Sequence, residues 1–175
     1  MATRTPEGYP HAPRARRYRG RMSPASSSTR AGAGGLAALA LLHAAWAAGS
    51  SWPLPSRAEL ADAVIGREGG EVPSPAACML VAALLAAAAA LVGAGPSPRS
   101  RLRLLAARAV VGTLSLRAAA GLAGHTELLS PGSCSPRFRE LDRRLYAPLC
   151  AALAVLSLPA ASRRPAPFCG ARCMR

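Results

Sequence analysis

The sequence predicts an all-α membrane protein, a four-helix transmembrane bundle preceded by a disordered basic N-terminal arm. Of the 175 residues, 51% are hydrophobic and only 4% are aromatic, and most of the apolar content is alanine and leucine in long blocks. Four of these blocks approach the ~20 residues that a helix needs to cross a hydrocarbon core. A soluble globular domain has a more even composition, so the pattern indicates membrane helices.

The arm is predicted to occupy residues 1–34. It is rich in arginine, proline and serine and contains Glu7 as its single acidic residue. Such a segment cannot bury enough apolar surface to fold. The run RARRYRGR around Tyr18 favours a solvated cytoplasmic arm that contacts anionic headgroups, with an RNA-binding tail or an organellar transit peptide as alternatives. The sequence leaves open whether Met1 or Met22 starts the chain.

The four apolar stretches are assigned to helices at about 35–52, 76–95, 102–124 and 145–161. Together they form one membrane domain over residues 35–161, and a disordered basic tail follows at 162–175. The second stretch has no charged residue, whereas a soluble amphipathic helix would carry charges every three or four residues on one face. The composition therefore favours spans that are exposed to lipid.

The other stretches are less uniform. The third carries Arg108 and Arg117. The fourth has Pro148 near its start and Pro159 near its end, and proline is tolerated near a helix start because the N–H that it lacks would have no partner there. For the first stretch, a secretory signal peptide is an alternative, since AWA at 45–47 resembles a cleavage site.

The distribution of arginine predicts the orientation. The net charge of +14 comes from arginine alone, because the chain has no lysine. Fourteen arginines fall in the N-terminal arm, the second loop and the tail, against six in the first and third loops, where seven acidic residues accompany them. Cytoplasmic flanks retain arginine, so both termini are predicted to be cytoplasmic in the cell membrane. Topology accounts for the basic surplus, and nucleic-acid binding is not needed to explain it.

This topology gathers polar residues in the outer half of the bundle. The predicted ligand-binding residues are His43, Trp46, Arg117, Asp142, Arg144 and Tyr146. A guanidinium at the depth of Arg117 costs a few kilocalories per mole unless it finds a partner, and Asp142 or Glu127 is expected to supply one. The alternative is an interfacial anchor in which Asp142 caps the fourth helix and Tyr146 lies at the headgroup level.

No catalytic residues, metal or cofactor are predicted. A triad of His43, a serine and Asp142 lacks a nucleophile elbow. The three histidines fall in separate regions, and Cys169 and Cys173 have no second pair to complete a zinc site.

Three stretches resemble a known family. They are HAAWAAGSSWP at 43–53, an arginine followed by alanine and glycine late in the third helix (Arg117, Ala118 and Gly121), and FRELDRRLYAPLC at 138–150. The matching positions are His43, Trp46, Gly49, Phe138, Asp142, Arg144, Leu145, Tyr146, Pro148, Leu149 and Cys150, with Ala147 replacing a serine. On these residues the chain resembles an uncharacterised family of small actinobacterial integral membrane proteins, domain of unknown function thirty-nine ninety-five. The resemblance covers roughly residues 35–161 and implies four membrane helices and no known activity.

The expected function is therefore that of a non-enzymatic multi-pass membrane protein that binds a lipid or a small hydrophobic ligand in the outer half of the bundle. Its expected partners are membrane lipids and, as an alternative, a second membrane protein or another copy of the chain. Small-residue helix faces motivate this alternative role in assembly or stability. A membrane enzyme that uses His43 as a base is the third hypothesis.

Overall fold

The computed structural model describes residues 24–66, 73–95, 101–129, 131–132 and 135–162, and these residues contain helices and no strand. The helices are α1 (Pro24–Ala47), α2 (Arg57–Ile65), α3 (Pro75–Gly93), α4 (Arg101–Leu122) and α5 (Pro136–Ala161), with a short 3-10 helix at Thr126–Leu128. The predicted all-α class is confirmed. The predicted disordered arm up to residue 23, and the basic tail from residue 163, lie outside the described residues.

Three of the helices, α3, α4 and α5, are long and apolar enough to span a membrane. The first two follow their predicted ranges closely, because each coincides with a continuous apolar run. The helix α1 begins at Pro24, ahead of the predicted start at Gly35, and its first turns contain a run of serines followed by Arg30. It does not meet the same hydropathy criterion, so the first of the four predicted spans stays a prediction.

The helix α1 packs against both α3 and α5, and α4 packs against α5. Small residues allow the close approach of α1 to α5, since a Cβ built on Gly35 would lie 2.6 Å from Leu153 Cδ2. The core between these helices centres on Leu36 of α1 and Val92 of α3, which are fully buried. Packing through small residues is typical of helices that associate in lipid.

The helix α5 begins at Pro136, ahead of the predicted start at Leu145. Ser135 caps it by accepting a hydrogen bond from the Phe138 N–H at 3.1 Å, and proline is favoured at the first helical position. The helix contains a π turn at Asp142–Tyr146, within which the Ala147 N–H donates to the Asp142 carbonyl. Pro148 lies two residues after this turn. Because proline has no N–H, it cannot make the regular i−4 hydrogen bond, and a widened turn is accommodated here.

The helix α2 lies in the loop between α1 and α3, and the sequence analysis did not predict it. Its N-cap Ser56 accepts a hydrogen bond from the Glu59 N–H at 3.2 Å, and Gly66 ends it in the left-handed conformation with φ 75°. Gly66 also joins α2 to the start of α5, because its carbonyl accepts from the Ser135 N–H at 2.9 Å. The Phe138 ring packs directly over Gly66, where a Cβ would lie 2.7 Å from the ring.

Candidate functional site

A cavity of about 730 Å³ lies where α1 ends, α5 begins and α2 crosses between them. The elements that enclose it come from four distant parts of the chain, since Arg117 of α4 also reaches its wall. Sites for small molecules and cofactors usually measure about 300–1,000 Å³ and have mostly apolar linings. The size of this cavity therefore suits a small organic molecule or part of a lipid.

The wall is mainly apolar. Its aliphatic side chains come from three helices: Leu39 and Leu42 from α1, Leu60 and Val64 from α2, and Leu141, Leu145 and Leu149 from α5. Such a surface gains free energy when apolar atoms cover it, by roughly 25 cal/mol per Å² removed from water. The cavity is therefore suited chemically to a hydrocarbon group.

The structure brings five of the six residues predicted to bind a ligand to this cavity. The five that line it are His43, Trp46, Arg117, Arg144 and Tyr146. The sixth, Asp142, lies behind Arg117 and is only 1% exposed. Whether these residues bind a ligand stays a prediction, but their spatial grouping is a property of the fold.

Asp142 is the centre of a polar cluster between α4 and α5. Its Oδ1 accepts a hydrogen bond from Arg117 Nη2, and its Oδ2 accepts one from the Thr126 hydroxyl. Of the two partners predicted for Arg117, the structure selects Asp142 rather than Glu127. Charge-assisted bonds of this kind offset the cost of burying a carboxylate, so the cluster fixes the position of the guanidinium at the cavity wall.

Gly121 makes room for this ion pair. A Cβ at that position would lie 2.9 Å from Arg117 Nη1, 2.9 Å from Asp142 Oδ2 and 2.6 Å from the Ala147 Cβ. The sequence-based alternative in which Asp142 caps the fourth helix is wrong. Because α5 begins at Ser135 and Pro136, Asp142 lies inside the helix and its carboxylate turns towards α4.

His43 and Trp46 form the α1 part of the wall. The His43 Nδ1–H donates to the Leu39 carbonyl at 2.8 Å, and the His43 ring lies 4.8 Å from the Trp46 ring, centroid to centroid. The Trp46 indole N–H donates to the Trp52 carbonyl at 2.7 Å. Both rings are therefore held by backbone acceptors, which restricts their rotation within the wall.

Tyr146 connects the wall to α2. Its hydroxyl donates to the Ala63 carbonyl at 3.1 Å, and its ring contacts the Phe138 ring at a centroid distance of 6.2 Å. From the sequence, Tyr146 was predicted as a ligand-binding residue or, alternatively, as a residue at the headgroup level, and its contact with α2 was not predicted. In the structure Tyr146 holds α2 against α5.

Two exposed ion pairs lie at the edge of the cavity. Arg144 Nη1 is 2.9 Å from Glu140 Oε1, and Arg137 Nη1 is 3.8 Å from Glu59 Oε2. Neither pair was predicted from the sequence, in which Arg144 was expected to pair with Asp142 or with a lipid phosphate. The spacing of Ser56 and Glu59 is nevertheless a known signal for the start of α2. Within the described ranges, no group of three or more His, Cys, Asp or Glu residues could hold a metal ion.

The model of one protein family matches residues 36–157 of the chain, and its description is "Protein of unknown function (DUF3995)". The matched segment runs from α1 to near the end of α5 and includes every residue that lines the cavity. No curated protein and no solved structure matches the chain.

Proposed function

The chain belongs to the DUF3995 family of proteins of unknown function, and we propose that it is a non-enzymatic multi-pass protein of the cell membrane that binds a lipid or another small hydrophobic ligand in the cavity beside α1, α2 and α5. The observation that carries the proposal is the mainly apolar, partly open cavity of about 730 Å³, bordered by a small number of fixed polar groups. Apolar sites with a few convergent polar groups are the usual form of ligand pockets.

The membrane environment is supported by the outer surfaces of the helices. On α3, Leu80 and Leu84 are 61% and 62% exposed, and Leu105 on α4 is 60% exposed. Exposed leucines along helices of this length match the hydrocarbon core of a bilayer. In the proposed arrangement α1 is a fourth span and both termini are cytoplasmic, so the cavity opens in the outer half of the bundle.

The experiment fills the cavity without changing its charges. Leu42 lines the cavity, whereas its neighbour Leu41 is 72% exposed and does not. The variants L42W and L41W are purified in a mild detergent, and organic extracts of each are compared with the wild type by mass spectrometry. We expect a lipid or another hydrophobic compound to co-purify with the wild type and with L41W, and to be lost from L42W.

Thermal unfolding of the three proteins in the same detergent shows whether each is folded. If folded L42W retains the same compound in the same amount as L41W, the cavity is not its binding site and the proposal is wrong. If no compound accompanies folded wild-type protein, ligand binding in the membrane is not supported.

A further inference from the structure

Most polar groups that line the cavity already have a protein partner. The Tyr146 hydroxyl donates to the Ala63 carbonyl, and the Trp46 indole donates to the Trp52 carbonyl. Arg117 is paired with Asp142, and Arg144 with Glu140. The lining charges are therefore each accompanied by an opposite charge, and an anionic ligand would have to compete with carboxylates that are already in place.

His43 also has a protein partner, but only one of its two ring nitrogens is engaged. A backbone carbonyl can only accept, so the 2.8 Å contact with the Leu39 carbonyl requires that Nδ1 carry the hydrogen. In the neutral ring, Nε2 then has a lone pair and accepts hydrogen bonds. Within the part of the chain that the structure describes, no residue donates to Nε2, and Nε2 is not among the buried atoms that lack a partner. Arg117 Nη1 is one of those atoms, but it is buried beside Gly121 and is therefore not accessible from the cavity.

We infer that the ligand of this cavity is a neutral amphiphile with a hydroxyl group, whose O–H donates to His43 Nε2 while its hydrocarbon part covers the leucines of the wall. This inference rests on the proposed function and specifies its ligand. A carboxylate or a fully ionised phosphate has no proton to donate to Nε2, and an ether or an ester has none either. An alcohol satisfies Nε2, which is a neutral acceptor, and adds no charge to a lining in which each charge already has an opposite partner.

The test uses three probes with the same hydrocarbon chain: 1-decanol, decanoic acid and decyl methyl ether. The protein contains two tryptophans. Trp52 is 69% exposed and contributes only its backbone carbonyl to the site, so the W52F variant leaves Trp46 as the single tryptophan, next to His43. The full-length W52F protein in nanodiscs is titrated with each probe at pH 8, and Trp46 fluorescence reports binding.

We expect decanol to bind roughly fivefold to tenfold more tightly than the ether or the acid, which is the gain of one hydrogen bond in an apolar site. H43L in the W52F background should lose this preference while still binding the hydrocarbon chain. H43Q should retain it, because the carboxamide oxygen accepts a hydrogen bond. Retention in H43Q also separates hydrogen bonding from a general effect on packing.

Equal binding of the three probes, tighter binding of the acid, or an alcohol preference that persists in H43L would each overturn the hydroxyl inference and leave the proposed hydrophobic site intact. If none of the probes changes Trp46 fluorescence in folded protein, the cavity does not take a hydrophobic ligand of this kind. That result would count against both the hydroxyl inference and the proposed function. Mass spectrometry of the extracts from L42W and L41W would then decide whether the proposed function stands.

Discussion

Arg117 on α4 and Asp142 on α5 form an ion pair in which the carboxylate is 1% exposed and the guanidinium side chain 26% exposed. Thr126, in the loop that joins these helices, donates to the same carboxylate. The cluster therefore links α4, α5 and the loop between them at one point. The ion pair also explains why Arg117 can lie in the second half of α4, since its charge is compensated within the protein.

Removal of Arg117 should destabilise the protein strongly. R117L leaves Asp142 buried with only the Thr126 hydroxyl as a partner, and loss of one member of a buried ion pair costs about 3–5 kcal/mol. The double variant R117L/D142L should recover part of this loss, because no charge remains buried. Unfolding free energies from denaturing-detergent titrations measure both effects.

The matched control is R144L, because Arg144 and Glu140 form an ion pair with side chains that are 79% and 60% exposed. Exposed pairs contribute less than about 1 kcal/mol. A destabilisation by R144L as large as that by R117L would contradict the distinction between the buried and the exposed pair.

Gly121 should not tolerate alanine. A Cβ there would lie within 2.9 Å of Arg117 Nη1 and Asp142 Oδ2, so G121A must displace the ion pair. We expect a loss of about 1–3 kcal/mol from this overpacking. On the same helix, a Cβ on Gly112 meets nothing within 4 Å, and G112A should be neutral or slightly stabilising, since alanine is the better helix former. Melting temperatures of the two variants provide the comparison.

Tyr146→Phe should loosen α2 without altering the shape of the cavity. The substitution keeps the ring and removes the hydroxyl that donates to the Ala63 carbonyl at 3.1 Å, at a net cost of about 0.5–1.5 kcal/mol. Hydrogen exchange of the α2 amides should become faster in Y146F, while exchange in α3 should be unchanged and serves as the internal control. Equal exchange of α2 in the two proteins would show that this hydrogen bond does not hold the helix.

The proposed orientation can be tested with two leucines of equal exposure. Leu102, at the start of α4, is 77% exposed, and Leu128, beyond its end, is 78% exposed. In a background without the five native cysteines, a membrane-impermeant maleimide should label L128C in intact cells and should label L102C only after lysis. The reverse pattern would invert the proposed topology.

The sequence was informative about α3 and α4 because their boundaries follow continuous apolar runs, which are local signals. It was less informative about α2 and the first turns of α5. These polar segments are stabilised by contacts with each other, such as the hydrogen bond from Ser135 to Gly66. Their capping signals, Ser56 with Glu59 and Ser135 before Pro136, were present and could have located both helix starts.

The candidate site, too, could be predicted from the sequence only in part. Topology and helix length alone place His43 and Arg117 at a similar depth, so a grouping with the start of the last helix could be predicted. The contributions of Thr126 and the Ala63 carbonyl depend on how the loop and α2 pack. No local pattern encodes such contacts, and only the assembled fold reveals them.

The π turn at Asp142–Tyr146 divides α5 into two segments that are out of phase with each other. One additional residue corresponds to a rotation of about 100° around the axis of a regular helix. A single helical wheel drawn from Pro136 to Ala161 would therefore assign the wrong faces on one side of this turn. Deletion of one residue within the π turn would restore a regular helix and turn Phe138 and the N-terminal segment of α5 away from α2. Insertions and deletions at this turn therefore change which residues share a surface, and not only the length of the helix.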